Sequence, residues 1–223
     1  MSTYADAITA ARSLLNDVNG VTWSDSDLTI YANDGLAMMA VIRPDLFESI
    51  TTMTCVNGAI QSLPSTADRL MEVFCVVGGN TVTEVPRETL DRFVPGWMSA
   101  ANSTPVNWAR HPRSNRTFFV HPPATAGQIL RVQYSSAPTR ISVGQISSTS
   151  LPITDAYFPA LVDYIVGRAE MRDDEHAIDQ RAVQMMDQMK QTLGLGMQTK
   201  PVADREDAAM AGSGKVSLDG NGR

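Results

Sequence analysis

Only two cysteines, Cys55 and Cys75, occur in 223 residues, and neither stands in a CxxC or Cys/His spacing. That pattern gives no support to a disulfide framework or a zinc site, and predicts buried free thiols behaving as small hydrophobes. Histidine is scarce as well: His111, His121 and His176 show no metal-ligand spacing. No uncharged apolar run approaches the roughly 18 residues that cross a bilayer. The opening stretch MSTYADAITAARSLL holds Asp6 and no basic leader, so neither secretion nor membrane insertion is expected, and the chain is read as made in the cytoplasm. Enzyme signatures are missing too. There is no G-x-S-x-G elbow, no G-x-x-x-x-G-K-[ST] phosphate loop and no G-x-G-x-x-G fingerprint, so Gly78-Gly79-Asn80 reads as a turn.

What is present suffices for a packed core: 43% of residues are hydrophobic and 19% charged. This composition excludes wholesale disorder, and the length suits one composite domain or two small ones. Eighteen Lys and Arg against 24 Asp and Glu give a net charge of -6, unevenly spread. Residues 92–154 contain no Asp or Glu but six arginines, Arg92, Arg110, Arg113, Arg116, Arg131 and Arg140. Such segregation suits a face presented to an acidic partner or to nucleic acid, and it also arises by chance in an Arg-sparse strand region.

Periodicity divides the chain into three. Tyr4, Ala7, Ile8, Ala11, Leu14, Leu15 and Val18 recur at helical steps and predict a helix over 3–18, stopped by Asn19-Gly20. Ser24 then caps a second helix, with Asp25 and Asp27 in its first turn and Asp27 placed as in a capping box; it ends near Arg43-Pro44. From Phe47 the pattern turns to β. Ile50–Val56 and Ala59–Leu63 flank Asn57-Gly58, which predicts a hairpin with a type I′ turn. Residues 69–77 read as a strand, and Pro86–Phe93 as a short helix with proline in first position, followed by a Pro95-Gly96-Trp97 loop. Strands over 106–110, 117–120 and 128–134, separated by turns at His111–Asn115 and His121–Ala124, predict an antiparallel meander. Tyr157, Leu161, Tyr164, Ile165 and Arg168, then Ile178, Ala182, Met185, Met186, Met189 and Leu193, form a second helical pair across Arg172–Glu175.

The fold expected is therefore α+β: N- and C-terminal helical hairpins (1–46 and 153–196) form a helical bundle around an inserted antiparallel β domain (47–152). A mobile C-terminal tail follows at 197–223, with four glycines, no aromatic residue and no apolar periodicity.

Candidate chemistry is sparse. Nothing ties either cysteine to a histidine, and the acids Asp25, Asp27 and Asp173–Glu175 read as caps and solvated turns. No catalytic residue, cofactor or metal is assigned. Trp97, Trp108, Phe118, Phe119 and Tyr134 lie among the arginines, as in single-strand binding sheets or in an ordinary core. Met185, Met186 and Met189 suit an adaptable interface or core packing equally.

The order of elements resembles a known family. Trp23-Ser24-Asp25-x-Asp27-Leu28-x-x-Tyr31-x-Asn33, the Arg-Leu-Met-Glu-Val strand with Gly78-Gly79, and Leu161-Val162-Asp163-Tyr164-Ile165-Val166-Gly167-Arg168-Ala169 together resemble the head-to-tail adaptor proteins of tailed bacteriophages. The resemblance implies a non-enzymatic virion protein at the head-tail junction, synthesised in the bacterial host cytoplasm. It implies a homo-oligomeric ring, a dodecamer, under the portal protein, extending the DNA channel and docking a tail (nozzle or tube) protein. The tail at 197–223 is then the portal-binding part. Interface candidates are Arg110, Arg113 and Arg116 for an acidic partner or for nonspecific contact with genomic DNA, and Lys200, Arg205 and Lys215 in the tail. Two other readings stay open: a phage-associated enzyme such as a peptidoglycan hydrolase, and a nonspecific nucleic-acid-binding module, whose affinity falls steeply with salt.

Overall fold

A computed structural model describes residues 1–171 and 179–194. The chain is α+β, with helices at both ends and two sheets between them. α1 (Tyr4–Leu14) opens on a capping box: the Asp6 N–H donates to Thr3 Oγ1 at 3.2 Å and the Thr3 N–H to Asp6 Oδ2 at 2.7 Å. It buries Tyr4, Ala7, Ile8 and Ala11, and it stops short of the expected residue 18, leaving Val18 74% exposed. The reason lies in the next turn, where Asp17 accepts the N–H groups of Val21, Thr22 and Trp23, a local alternative to helical bonding.

α2 (Asp25–Ile42) is capped as expected, Ser24 Oγ accepting the Asp27 N–H at 3.1 Å. It ends at Arg43, whose backbone is pushed out of the helical region by Pro44. α4 (Phe158–Glu170) and α5 (Asp179–Thr192) return to α1 and α2, and all four helices share one core that includes Ile8, Leu28, Leu36, Leu161, Ile165 and Met189. α4 packs against each of the others. It approaches α2 closely at Gly35, where an added Cβ stands 2.8 Å from Leu161 Cδ1 and from the Tyr164 ring. We expect Gly35→Val to cost about 3 kcal/mol, as overpacking does, and Gly35→Ala about 1 kcal/mol, because its Cβ already crowds both buried Leu161 and the Tyr164 ring and the gain in helix propensity offsets only part of that. Urea midpoints at unchanged m-value check both.

The β region is a two-layer arrangement. β1 (Glu48–Thr54), β7 (Ile129–Ser135) and β3 (Arg69–Val76) form one sheet in the order β1-β7-β3. β2 (Gly58–Ser62), β6 (Thr117–Ala124), β5 (Asn107–Arg110) and β4 (Thr83–Glu84) form the other, in the order β2-β6-β5-β4. Their inner faces share Met53, Val73, Trp108, Phe118, Val120, Leu130 and Val132.

Two expectations about pairing fail. The Asn57-Gly58 hairpin does not form: β1 pairs with β7 and β2 with β6, in different sheets. Gln61, 1% exposed, accepts the Val56 N–H and donates to the Val56 and Gly58 carbonyls, each at 2.9 Å. One side chain thus satisfies corner groups that a hairpin ladder would have paired. The meander is also broken. β5 and β6 form a hairpin, but β6 runs straight through His121–Ala124, where a turn was expected, and the chain turns instead at Thr125–Gln128, carrying β7 into the other sheet.

α3 (Arg87–Phe93) has Pro86 as its N-cap rather than as its first residue, and the Pro95-Gly96-Trp97 segment leads into a 3-10 turn at Trp97–Ser99. Leu90 and Trp97 cover the outer face of the second sheet against Ala59, Ala109 and Phe119, with Trp97 meeting Phe119 edge-on at 5.6 Å. The first sheet carries no such cover among the described residues. Across its outer face run the rows Thr54–Ile129–Val77, Thr52–Arg131–Cys75 and Ile50–Gln133–Glu72.

Candidate functional site

The arginine block is contiguous in sequence but scattered in space. Arg110 is held within the chain: Nε lies 2.7 Å from Glu84 Oε1, Nη1 and Nη2 donate to the Leu70 and Met71 carbonyls at 3.2 and 2.9 Å, and the guanidinium covers Trp108. It clamps β3, β4 and β5 together. Arg113 and Arg116 are exposed at the tip between β5 and β6; Arg116 Nη2 donates to the Pro64 carbonyl at 3.1 Å, and the Arg113 N–H donates to His111 Nδ1 at 3.2 Å. Beside this tip, Arg69, Arg110, His111 and Asn115 line a depression of about 240 Å³. Arg92 lies over Phe93 on α3, Arg131 stands on the outer face of the other sheet, and Arg140 pairs with Asp34 at 2.6 Å. Of the six nominated residues, Arg110 lies on β5 and Arg113 and Arg116 in the turn that follows it, with different partners. Lys200, Arg205 and Lys215, like the whole tail at 197–223, lie outside the described residues.

The aromatic residues among the arginines face inward. Trp97, Trp108, Phe118 and Phe119 are buried and Tyr134 is half-buried, so they fill cores rather than offer a stacking platform. Met189 is buried and Met185 and Met186 pack on the helical core, Met186 lying against Gly167 of α4. This resolves the methionine face as core packing.

The groups with chemical potential are buried, stacked on rings or paired rather than gathered at one place. Cys55 is buried, which pushes its thiol up to about 11, and Cys75 is half-buried; both are free. His111 stacks on Phe119 and His121 meets the edge of Trp97, while His176 lies outside the described residues. Asp25 pairs with Arg12 at 2.7 Å, Ser24 Oγ lies 2.8 Å from Asp27 Oδ2, and Asp173–Glu175 lie outside the described residues. Among the described residues no group of three His, Cys, Asp or Glu side chains is placed to hold a metal ion, and no helix is long and apolar enough to cross a membrane. A depression of about 660 Å³ lies between α3, β4 and β5, where Arg110–Glu84 and Arg87–Asp91 pair four of its charges and Glu88 stands beside them.

Sequence reading missed two apolar faces. On α2, Ile30, Met38 and Val41 are 48, 44 and 71% exposed. On the uncovered sheet, Ile50, Ile129 and Val77 are 60, 41 and 42% exposed. A signal for the first was present: α2 carries apolar residues on every side, the mark of a helix with partners all round.

A search of curated proteins finds no match to the chain. A family model, SU10 adaptor protein, matches residues 2–216, nearly the whole length and therefore both helical ends, the β region between them and most of the tail. The chain belongs to the SU10 adaptor protein family, phage structural proteins of the head-to-tail adaptor kind.

Proposed function

We propose that this protein forms a homo-oligomeric ring, a dodecamer, beneath the portal of a tailed phage, extends the DNA channel and presents the docking platform for the next tail component, a nozzle or tube protein. The observation that carries this reading is the family match over residues 2–216. The geometry supports it by what it offers: mostly paired charges in the depression between α3, β4 and β5, and exposed apolar side chains on α2 and on the first sheet.

Residues 1–46 and 153–196 act in this reading as one helical unit that carries the β insertion 47–152 and leads into a portal-binding tail at 197–223. Arg113 and Arg116, exposed at the β5–β6 tip, meet an acidic partner or the DNA backbone nonspecifically, whereas Arg110 holds that tip in shape. A lumen lined by the acidic majority of the chain, whose net charge is -6, lets DNA slide without sticking. The ring sits at the head-tail junction of the virion after synthesis in the host cytoplasm.

Stoichiometry in particles tests this. Quantitative mass spectrometry of purified, DNA-filled particles should give a copy number equal to that of the portal protein. Absence of the chain from particles overturns the reading, and zymography together with salt-dependent DNA binding would then separate an enzyme from a nucleic-acid module.

A further inference from the structure

We propose that the outer stripe of α2 packs on the uncovered face of the β1-β7-β3 sheet of a second copy of this chain. The inference rests on the ring reading and specifies which surfaces close it. Both faces expose apolar side chains around a polar centre: Asp34, paired with Arg140, sits within the α2 stripe, and Arg131 lies between Ile50 and the Ile129–Val77 end of the sheet. On α2 the stripe is Ile30, Met38 and Val41, with Ala37 half-buried between them; on the sheet it is Ile50, Ile129 and Val77, flanked by Thr52 and Thr54.

The two match in length. Ile30 to Val41 spans about 16 Å at the helical rise, and Ile129 to Gln133, the part of β7 facing this stripe, spans about 13 Å at the strand rise. They also match in charge. Residues 1–46 and 153–196 together carry 6 basic and 14 acidic side chains, whereas 47–152 carry 8 basic and 6 acidic. Helical unit against helical unit therefore sets like charge against like. Helical unit against sheet sets opposite charges together, with Arg131 at the centre of the sheet face, exposed and without a carboxylate partner among the described residues. Because a helix face meets a different, sheet face, the contact is heterologous, the kind that generates rings rather than closed pairs.

The test uses the full chain in particles. Val41→Asp and Ile50→Asp each place a carboxylate in the apolar contact and should lower adaptor copy number per particle by at least about tenfold. Both sites are exposed in the free chain, so the melting temperature of the purified variants should stay that of the parent. Arg131→Glu should weaken incorporation in a way that added salt partly restores. As a positive test, chains carrying Val41→Cys and Cys75→Ser are mixed with chains carrying Ile50→Cys and Cys75→Ser, assembled, and treated with a bis-maleimide. A covalent link between the two different chains is the expected product. Links only between identical variants, or no link and no loss of incorporation in particles that hold the wild-type chain at portal copy number, overturn this contact while leaving the ring. A wild-type copy number below the portal's removes the ring reading, and this contact with it.

Discussion

Replacing Asp17 with alanine is expected to lower the unfolding free energy by about 3 kcal/mol, the cost of removing one partner from a buried charged network. Asp17 is only 6% exposed. Its carboxylate accepts N–H groups from Val21 at 2.7 Å, Thr22 at 3.2 Å and Trp23 at 3.0 Å, and lies 3.2 Å from Arg12 Nη1. Arg12 reaches on to Asp25, at the start of α2, so one carboxylate and one guanidinium hold the α1–α2 corner. Gly20 completes it: its backbone has φ +67, and an added Cβ stands 2.9 Å from Arg12 Nη1, so any other residue is strained and crowded there. Truncating Asp17 leaves three backbone donors without their acceptor and removes one of the two carboxylates that hold the nearly buried Arg12 guanidinium.

The same site makes stability depend on pH with a definite sign. Burial alone would raise the Asp17 carboxyl, but the three backbone donors and Arg12 outweigh it and hold the group below its ordinary range. A carboxyl depressed in the folded state stabilises fully above its unfolded value, about 3.9, and loses that contribution as pH falls through the folded value. The gap between wild type and Asp17→Asn should thus be constant above about pH 5 and narrow on acidification. Urea titrations at several pH values measure it; a gap that persists unchanged at the acid end, where both states are protonated, would contradict the assignment.

Deletion of residues 197–223 should leave a folded chain that no longer attaches to portal. The helical core is complete before the cut. Leu193, 1% exposed, closes it, its N–H donating to the Met189 carbonyl at 3.0 Å, while Arg43 Nη1 donates to the Leu193 carbonyl at 3.2 Å. Arg43 also pairs with Asp45 at 2.6 Å and lies over the Tyr157 ring, so the end of α5, the end of α2 and the entry to the β region are tied at one residue. The truncated chain should therefore melt at the parent's temperature within about 2 °C, since every core residue among the described residues precedes the cut. Co-sedimentation with purified portal should fall by at least about tenfold. Substituting Lys200, Arg205 and Lys215 by glutamate separates charge from length: an equal loss assigns the contact to these cations, and retained attachment assigns it to the rest of the tail. Normal attachment by the truncated chain refutes the tail reading.

Much of the fold was legible because its signals are local. Ser24 capping α2, Pro44 ending it, the strand before Gly78 and the return to helix at residue 158 each depend on residues within a few positions. The family resemblance rests on the order of those signals, so it too was readable. The charge block 92–154 was equally visible, but only as a stretch of chain.

Partnership was not legible, because it joins residues far apart in the chain. Alternation in Ile50–Val56 and Ala59–Leu63 says that each strand has two faces; it does not say that Thr52 will lie beside Arg131 and Ile60 beside Phe119. A buried glutamine at the corner, Gln61, outweighed the strongest turn signal in the chain. Likewise the arginines form one run in sequence, yet folding ties Arg110 to Glu84, Arg140 to Asp34 and leaves Arg113 and Arg131 on separate surfaces. Composition and periodicity thus settle which segments are helix or strand and what charge they carry, since those depend on neighbours along the chain. Which faces are left uncovered, and so available to other copies, follows only from how the sheets and helices bury one another, because burial is a property of contacts between distant segments.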